Sequence, residues 1–325
     1  MNVYVVGKGA VGTYLGDLLR EIGVQVTYAP RNLAEVKPYE ADVAIVAVKA
    51  YDTQSAIATL RAAIVVPEKC VFVTPQNGVG NEEQLIAAFG ADNVVAASLT
   101  VPVGRDRDGH ANAAKDGAIA FSPTGRSAFN WLVATFASTG LPVKVVEDWR
   151  AMKWSKLALN IVANASCAIL NVLPNRLVHF DRIFTLEIRM LREVRSVMQA
   201  MGITPIDLPR YPVRALLGVA TLPSPIARGV LATRIAGARG TKPPSLLLDL
   251  RRGIPETEVN VLNGAVTAAG LEHLVATPVN AVYTRVLDAI AHMPQLWAKY
   301  RERPEALEAE VEAEMRRTRA LARGA

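Results

Sequence analysis

The sequence predicts an α/β domain over residues 1–146 followed by an all-α domain over residues 147–325. Apolar strand patterns alternate with helical patterns through the first part, which is typical of a parallel sheet. From about Glu147 the strand patterns stop and long helical patterns take over. The length of 325 residues agrees with two domains, because a single hydrophobic core rarely supports a chain of this size.

The first strand pattern ends in a glycine-rich turn. Apolar residues from Val3 to Val6 precede glycines spaced G-x-G-x-x-G, and an amphipathic helical pattern follows. In such a context the three glycines permit a tight turn, the approach of a pyrophosphate and close helix packing. The helix N-terminus favours the phosphates. We therefore predict a Rossmann domain that holds a dinucleotide cofactor, with a ligand-free glycine turn as the alternative. The predicted cofactor contacts are Gly7, Lys8, Gly9, Ala10, Val11 and Gly12.

The residues after the second strand pattern, Val24–Tyr28, predict which dinucleotide is preferred. An NAD-selective site places an acidic residue here, which accepts a hydrogen bond from the ribose 2′-hydroxyl. The chain instead has Arg31, whose guanidinium can form charge-assisted bidentate bonds to a 2′-phosphate. We therefore predict NADP(H) as the cofactor. The alternative is that Arg31 is a solvated surface residue.

Two polar residues follow later strand patterns. Val43–Val48 ends at Lys49, and Cys70–Thr74 is soon followed by Asn77. Ligands of open α/β sheets bind outside the carboxyl ends of the strands, so we predict that Lys49 and Asn77 contact the cofactor. The alternatives are an exposed lysine at a strand end and a simple Asn-Gly turn. Further strand patterns cover residues 93–98, 117–121 and 141–146.

The helical part begins with Trp149–Val172, which holds the run from Lys153 to Asn164 that is predicted to lie on a buried helix. Lys156, Asn160 and Asn164 are spaced i, i+4 and i+8, so they share one face of a helix that is otherwise mainly apolar. Buried polar side chains are costly unless something hydrogen-bonds them. We infer that a ligand or a network holds them. The alternative is an internal network with Lys156 reaching solvent.

Composition and charge narrow the function classes. The chain is 51% hydrophobic and 20% charged, which indicates a globular protein. The basic residues behind the net charge of +6 are scattered, so we predict small anionic ligands and no nucleic acid. Cys70 and Cys167 lie in apolar runs and are interpreted as packing residues, and the four histidines lack metal-ligand spacing. Without a signal peptide or an apolar run of about 18 residues, we expect a cytoplasmic protein and no membrane partner.

Over about residues 1–293 these motifs resemble those of the ketopantoate reductase family (2-dehydropantoate 2-reductases). The resemblance implies a Rossmann domain followed by an all-α domain like the C-terminal domain of 6-phosphogluconate dehydrogenase. It also implies the NADPH-dependent reduction of a small 2-oxo acid, with ketopantoate as the leading substrate. Besides the glycine turn, the matching motifs are the strand ending in Lys49, Gln76-Asn77-Gly78, Trp154–Asn164, Ser245–Asp249 and Thr257–Gly264.

The resemblance implies roles for individual residues as well. Lys156 would protonate the nascent alkoxide, and Glu258 would help to bind the substrate and support this acid. Asn77, Asn160, Asn164 and Ser245 would bind the substrate or hold the polar network. A cation at Lys156 suits this role, because hydride transfer to a ketone leaves negative charge on its oxygen. The alternatives are a reductase of another branched 2-oxo acid and a non-catalytic dinucleotide sensor, which the presence of these residues disfavours.

Two glutamates compete for the role of the active-site carboxylate, because the chain reads Pro255-Glu256-Thr257-Glu258. Glu258 directly precedes a predicted helix, where the dipole favours a carboxylate. Glu256 follows a proline and is expected in a loop that faces water. We therefore predict Glu258. The buried stripe of the helix is predicted from residues spaced i, i+3 and i+7, namely Val259, Leu262 and Val266.

Two segments depart from the family pattern. Residues 203–244 are rich in proline and carry basic residues, so they form either a remodelled lid over the site or a peripheral insertion. In the charged tail, residues 303–325, glutamates precede arginines, as suits a helix dipole. A solvated or frayed helix is the favoured interpretation of the tail. The alternative is packing on a second subunit, which would make the protein a homodimer.

Overall fold

The computed structural model of the chain describes residues 1–105, 110–113, 116–125, 129–239 and 241–324. The chain divides into two compact units. The first comprises Met1–Lys156 with Asp207–Tyr211, and the second comprises Leu157–Ile206 with Pro212–Ala325. The sequence-based bounds of the functional domains, 1–146 and 147–325, stay a prediction.

The first unit is built on a seven-stranded sheet with the order β2-β1-β3-β4-β5-β8-β9. A two-stranded antiparallel ribbon, β6 with β7, accompanies it. This is the doubly wound arrangement that the alternating pattern predicts, so the predicted α/β fold class of this part is confirmed. The strands are β1 Asn2–Val6, β2 Gln25–Tyr28, β3 Val43–Val46, β4 Val71–Thr74, β5 Val94–Leu99, β6 Val103–Arg105, β7 Ala111–Ala113, β8 Ile119–Pro123 and β9 Val143–Val145.

Two strands, β8 and β9, differ in direction from the expectation of a parallel sheet. β8 runs antiparallel to β5, whereas β9 is parallel to β8. A parallel neighbour needs a crossover connection, usually a helix. The described residues between β5 and β8 instead form the β6–β7 ribbon, so the chain returns in the opposite direction.

Apolar residues on both faces of the strands explain why this sheet is buried on both sides. Successive residues of a strand point to opposite faces. Val5 and Ile45 belong to one core, and Tyr4 and Ala44 belong to the other. The helices that cover the sheet are α1 Ala10–Glu21, α2 Thr53–Ala63, α3 Asn81–Phe89 and α4 Asn130–Ser138.

The described part of the second unit is helical, as the sequence predicts, and its first helix begins within the first unit. Cys167 is buried in this unit and Cys70 is buried in the first, which confirms both as packing residues. The helices are α5 Trp149–Ile161, α6 Ala165–Leu170, α7 Pro174–Leu177, α8 Asp181–Ala200, α9 Val213–Ala220, α10 Ser224–Arg239, α11 Ser245–Arg251, α12 Asn263–Glu272, α13 Pro278–His292, α14 Trp297–Tyr300 and α15 Pro304–Gly324.

The prediction that Lys156, Asn160 and Asn164 share one face of a single helix is wrong, because the helix is interrupted between α5 and α6. Ala163 has a φ of 49°, a left-handed conformation that ends α5. Its N–H donates to the buried Glu187 carboxylate, with an N–Oε2 distance of 2.6 Å. This bond from α8 satisfies a backbone group that the interruption takes out of the helical ladder. The segment therefore forms two helices joined by a turn that the hydrogen bond to Glu187 holds in place.

The favoured interpretation of the charged tail is also wrong. Residues from 304 onward form α15 as a helix, but this helix is not solvated all round. Leu307 and Val311, one turn apart, are 0% exposed, and the helix packs on α8 and α13. Glu308 pairs with Arg182 of α8 at 2.9 Å. The apolar face of α15 is covered by its own chain, so this helix gives no argument for a second subunit.

No described helix combines the length and the apolar character that a membrane span needs. Among the described residues, no group of three or more His, Cys, Asp or Glu side chains could hold a metal ion.

Candidate active site

The glycine turn between β1 and α1 has the geometry of a phosphate-binding turn. Gly7 has a φ of +103°, and a Cβ at this position would lie 2.6 Å from the Ala47 carbonyl carbon. A Cβ on Gly12 would lie 2.0 Å from the Gly7 oxygen. A Cβ on Gly9 would meet only the Ala47 oxygen, at 4.0 Å, and the φ of Gly9 is −85°. The packing of the chain thus requires glycine at positions 7 and 12. The open space beside Gly9 fits the approach of a dinucleotide.

The strand order places this turn at the switch point of the sheet. β1 lies between β2 and β3, so the chain leaves β1 toward one side of the sheet and later returns on the other. Ligands bind at such a point, outside the carboxyl ends of the two central strands. Lys49 follows β3 at this edge, where it is half-buried and N-caps a 3₁₀ helix. The structure therefore brings residues 7–12 and Lys49 to the same edge.

Cationic side chains lie near the end of β2, at the place predicted for the 2′-phosphate. Arg31 is exposed, three residues beyond the last residue of β2, Tyr28. The Lys8 Nζ atom lies 5.2 Å from the centroid of the Tyr28 ring, and the ring hydroxyl donates to the Gly12 oxygen at 3.3 Å. Residues 29–31 contain no acidic side chain.

The Gln76-Asn77-Gly78 turn follows β4 and is held by buried side chains. Gln76 Nε2 donates to the Val48 oxygen at 3.2 Å and to Thr53 Oγ1 at 2.9 Å. Asn81 Nδ2 donates to the Asn77 oxygen at 3.1 Å. Asn77 itself is exposed. Buried hydrogen bonds of Gln76 and Asn81 therefore fix the backbone of the turn, while Asn77 lies at the surface.

A buried ion pair beneath this turn was not predicted. The Lys153 Nζ lies 2.8 Å from Glu82 Oε1 and donates to the Gln76 oxygen at 2.6 Å. Burial raises the pKa of the Glu82 carboxyl, and the Lys153 ammonium opposes that rise. One signal could have found Lys153, since it stands among apolar residues on α5. Glu82 gives no such signal, because an acidic residue in the first turn of a helix is ordinary.

Lys156, the predicted acid, is half-buried on α5 in the first unit. Its Nζ lies 5.9 Å from the centroid of the Tyr211 ring. Tyr211 comes from the proline-rich segment, and the part of that segment packed in the first unit is Asp207–Tyr211. Part of the segment therefore lies beside the predicted acid, whereas α9 and α10 belong to the second unit.

Several bonds attach the Asp207–Tyr211 segment to the first unit. Lys144 Nζ donates to the Asp207 oxygen at 3.1 Å, and Arg210 pairs with Asp116 at 3.0 Å. Leu208 and Tyr211 exchange backbone hydrogen bonds of 3.1 and 2.8 Å. Arg210 has a φ of 67°, which a non-glycine residue adopts only when its surroundings hold it there.

Asn160 and Asn164 belong to the second unit, together with Ser245. Asn160 is half-buried near the end of α5, and Asn164 is 4% exposed at the N-cap of α6. Asn164 Nδ2 donates to the Asn160 oxygen at 3.0 Å, and Asn164 Oδ1 accepts from the Leu246 N–H at 3.2 Å. Asn164 thus ties the interruption after α5 to the start of α11, where Ser245 is exposed.

The two candidate glutamates have different surroundings. Glu256 is exposed, whereas Glu258 is 5% exposed and begins a 3₁₀ helix capped by Thr257. The predicted continuous helix is instead this 3₁₀ turn followed by α12, because Leu262 leaves the helical conformation with φ −105° and ψ −96°. The predicted stripe is nevertheless buried, with Val259, Leu262 and Val266 between 0% and 2% exposed.

A half-buried carboxylate in the second unit was missed as well. Glu193 accepts hydrogen bonds from the N–H groups of Val279 and Asn280 at 2.9 and 3.0 Å, and from Asn280 Nδ2 at 2.7 Å. It therefore caps α13. Burial raises the pKa of Glu193 to about 7, while these hydrogen bonds oppose the rise. Asn263, part of the family-like motif, donates to Asn280 Oδ1 at 3.0 Å and so joins this structural network.

Comparison with known proteins gives a consistent result. The family model "Ketopantoate reductase PanE/ApbA" matches residues 26–126, and "Ketopantoate reductase PanE/ApbA C terminal" matches residues 148–291. The chain is 29% identical over 303 residues to 2-dehydropantoate 2-reductase of Pyrobaculum aerophilum, covering 88% of this chain and 96% of that protein.

Solved structures agree in fold. A PanE/ApbA family ketopantoate reductase from Ralstonia eutropha matches with a TM-score of 0.74 and 26% identity, over 91% of this chain and 100% of that one. D-mandelate dehydrogenase with NADH and anilino(oxo)acetate matches with a TM-score of 0.75 and 18% identity, over 91% and 99%. The match to the first family model lies in the part of the chain that forms most of the sheet, and the match to the second includes the helix that carries Lys156. The chain therefore belongs to the ketopantoate reductase family.

Proposed function

We propose that the protein is an oxidoreductase that reduces 2-dehydropantoate (ketopantoate) to pantoate with NADPH, a step of pantothenate and coenzyme A biosynthesis. One observation carries the proposal from the structure. Lys156 stands one helical turn after Lys153, whose Nζ donates to the Gln76 oxygen at the end of β4 and to the Ala97 oxygen of β5. The candidate acid thus belongs to the same unit and the same sheet edge as the dinucleotide-type glycine turn.

The residues that would hold the cofactor are those of the glycine turn with Arg31, Lys49 and Asn77. When bound, NADPH supplies the hydride. The preference for NADPH over NADH is supported by Arg31 and Lys8 at the end of β2 and by the missing acidic residue there.

Lys156 is proposed as the proton donor. Hydride arrival at the C2 carbonyl of the 2-oxo acid leaves negative charge on its oxygen, and the ammonium group neutralises this charge by donating a proton. Because Lys156 is half-buried, its charge is less screened than it would be in water. The interaction is stronger with the developing alkoxide than with the ketone, which is what catalysis requires.

Further roles are proposed for residues of the second unit, as the family resemblance implies. Asn160 and Ser245 would hydrogen-bond the substrate, and Glu258 would bind it and support the acid. The amide of Asn164 bonds to Asn160 and to the start of α11, so Asn164 would act by holding these two groups in place.

A second candidate is the reduction of another branched 2-oxo acid. The observation that favours it is Tyr211, which comes from the segment that departs from the family pattern and lies 5.9 Å from Lys156 Nζ. An aromatic ring beside the acid would shape the space for the side chain of the substrate.

The test is to follow NADPH absorbance with the purified protein while a panel of 2-oxo acids is supplied. We expect ketopantoate to give the highest kcat/KM and NADPH to be preferred over NADH. Faster turnover of a different branched acid would favour the second candidate. Turnover of no 2-oxo acid would overturn both and favour a dinucleotide-binding sensor.

A further inference from the structure

The proposed reaction gives no role to the buried ion pair of the first unit. Lys153 and Glu82 are 1% and 0% exposed, and their Nζ and Oε1 atoms are 2.8 Å apart. Moving two charges out of water is expensive, and a well-packed apolar pair is often at least as stable. A contribution to the stability of the fold is therefore a weak explanation for the burial of these two charges.

The ammonium group joins four parts of the first unit. Lys153 projects from α5, and its Nζ pairs with Glu82 of α3 at 2.8 Å and donates to the Gln76 oxygen after β4 at 2.6 Å and to the Ala97 oxygen of β5 at 3.4 Å. Three oxygens thus surround the three protons of the ammonium. The position of α5 relative to the end of the sheet is fixed by directional bonds.

The same network continues on the other side of the turn. The Gln76 side chain bonds to the Val48 oxygen and to Thr53, and Thr53 Oγ1 donates to Asn81 Oδ1 at 3.1 Å. Asn81 in turn donates to the Asn77 oxygen. Since Val48 directly precedes Lys49, the network reaches the ends of both β3 and β4.

Lys153 lies three residues before Lys156, so both are on adjacent turns of one face of α5. We propose that the Lys153–Glu82 pair is a positioning device, which sets the place of the acid Lys156 relative to the Gln76–Asn77 turn at the ligand edge of the sheet. This inference rests on the proposed function. Neither member of the pair is proposed to touch the substrate or the cofactor.

The main test replaces both members by apolar residues of similar size, Lys153→Met with Glu82→Leu. This double variant leaves no unpaired buried charge, so we expect it to fold with a Tm close to that of the wild type. The NADPH dissociation constant should stay within about threefold, because most of the proposed cofactor contacts, the glycine turn and Arg31, lie outside the Gln76–Asn77 turn that the pair holds. We expect kcat to fall by a factor on the order of ten or more, since small displacements of reacting groups are costly.

The matched control is Arg182→Met with Glu308→Leu, which removes an ion pair on the surface of the second unit. We expect this control to keep wild-type kcat. A Lys153–Glu82 double variant with wild-type Tm and wild-type kcat would overturn the proposal, because the pair would then be replaceable packing.

Lys153→Met alone keeps the test decisive if the double variant does not fold. Glu82 would then be buried without a counter-charge, so the variant should be most stable at low pH, where the carboxyl is neutral. We compare its kcat with that of the wild type at one acidic pH, chosen by denaturation so that both proteins are folded. A variant kcat well below the wild-type kcat supports the positioning role. A variant that regains both the wild-type Tm and the wild-type kcat contradicts it.

Hydrogen exchange separates failure of this inference from failure of the proposed function. In the double variant we expect faster amide exchange at residues 76–81 and 150–157 and unchanged exchange in the second unit. Unchanged exchange in both segments would overturn the positioning role even if the wild type reduced none of the 2-oxo acids. Inactivity of the wild type would by itself contradict only the proposed function.

Discussion

Lys156 is the proposed proton donor of the reaction. This role can be tested by a substitution that preserves the packing of the side chain. Lys156→Met keeps the apolar stem but removes the proton donor. We expect kcat to fall by a factor on the order of 10² or more, with the affinity for NADPH little changed. Steady-state kinetics and a fluorescence titration with NADPH measure the two quantities.

The control for this change is Lys69→Met, because Lys69 is exposed at the surface of the same unit. It should keep wild-type kinetics. Turnover of the Lys156 variant within a few-fold of the wild type would show that the acid lies elsewhere.

Arg31 is expected to discriminate between the two nicotinamide cofactors. Because its guanidinium would bond to the 2′-phosphate, Arg31→Ala should narrow the difference in binding free energy between NADPH and NADH by about 1–3 kcal/mol. Isothermal titration with each cofactor measures this difference. Arg61→Ala, an exposed arginine on α2, should leave it unchanged. Equal affinities of the wild type for both cofactors would refute the assignment.

Glu256 and Glu258 form a matched pair only two residues apart. Glu258 is 5% exposed and Glu256 is exposed, so only the first is placed to act in a site sheltered from water. We expect Glu258→Gln to lose most activity and to raise the KM of the 2-oxo acid rather than that of NADPH. Glu256→Gln should be nearly silent. The opposite result would show that the register of this motif is wrong.

Single residues were predictable where a local rule applies to them. The glycines of the turn follow a spacing with a physical reason for each position, and Glu256 follows a proline. Glu82 was not predictable, because its burial depends on Lys153, which is 71 positions away in the sequence. Glu193 was missed for the same reason, since the N–H groups that it caps belong to Val279 and Asn280.

At the scale of elements, the interruption between α5 and α6 has the clearest consequence. It separates Asn160 from Asn164, which the sequence places on one helix. Helical periodicity cannot reveal it, because the bond that holds Ala163 comes from Glu187 on α8. The direction of β8 was equally hidden, since strand patterns look the same in parallel and antiparallel pairs.

The strained turn between these helices gives a stability prediction. Ala163 has a φ of 49°, where glycine is favoured over alanine by roughly 1–2 kcal/mol. This gain offsets the loss of a buried methyl group, so Ala163→Gly should change the free energy of unfolding by less than about 0.5 kcal/mol. Ala168→Gly, within α6, should cost about 1–2 kcal/mol. Chemical denaturation of both variants measures the difference, and equal costs would contradict this account of the turn.

The tail shows why composition alone misleads about an element. Residues 303–325 contain many charges, which indicate a solvated helix, but Leu307 and Val311 form a short apolar stripe. Glu308 and Glu310 face arginine and lysine side chains from other helices of the second unit. Two of these partners, Arg182 and Arg285, are 126 and 25 positions away from the glutamates in the sequence, so the packing of α15 could not be predicted locally.

At the scale of the whole molecule, stability should depend on pH through Glu193. Burial raises its pKa in the folded state to about 7 from the ordinary 4.5. The folded protein therefore holds a proton that the unfolded chain releases between these values. The free energy of unfolding should fall as the pH rises through this window and level off above about 7, with a total change on the order of 1–3 kcal/mol from this group.

Glu193→Gln removes this titration and isolates it from the other groups. Urea denaturation at several pH values between about 5 and 8 gives the pH dependence of each protein. We expect a steeper fall in the wild type than in the variant. Parallel curves would show that Glu193 titrates in the folded protein as it does in the unfolded chain.

The architecture of the whole chain was largely predictable, because the alternation of strands and helices and the later helical patterns extend over long segments. The proline-rich segment was not. Residues 207–211 return to the first unit through Lys144, Asp116 and the surroundings of Lys156, which are contacts between distant parts of the sequence. The sequence alone could therefore not decide whether this segment is a lid over the site or a peripheral insertion.

The proposed function requires that the protein moves a hydride from NADPH to the C2 atom of ketopantoate. The most direct test incubates the protein with ketopantoate and NADPH that carries deuterium on both C4 positions of the nicotinamide ring, followed by mass spectrometry of the product. We predict pantoate with one deuterium at C2 from the wild type, and at least about a hundredfold less of it per unit time from Lys156→Met. Unlabelled pantoate, or no pantoate at all, would contradict the account.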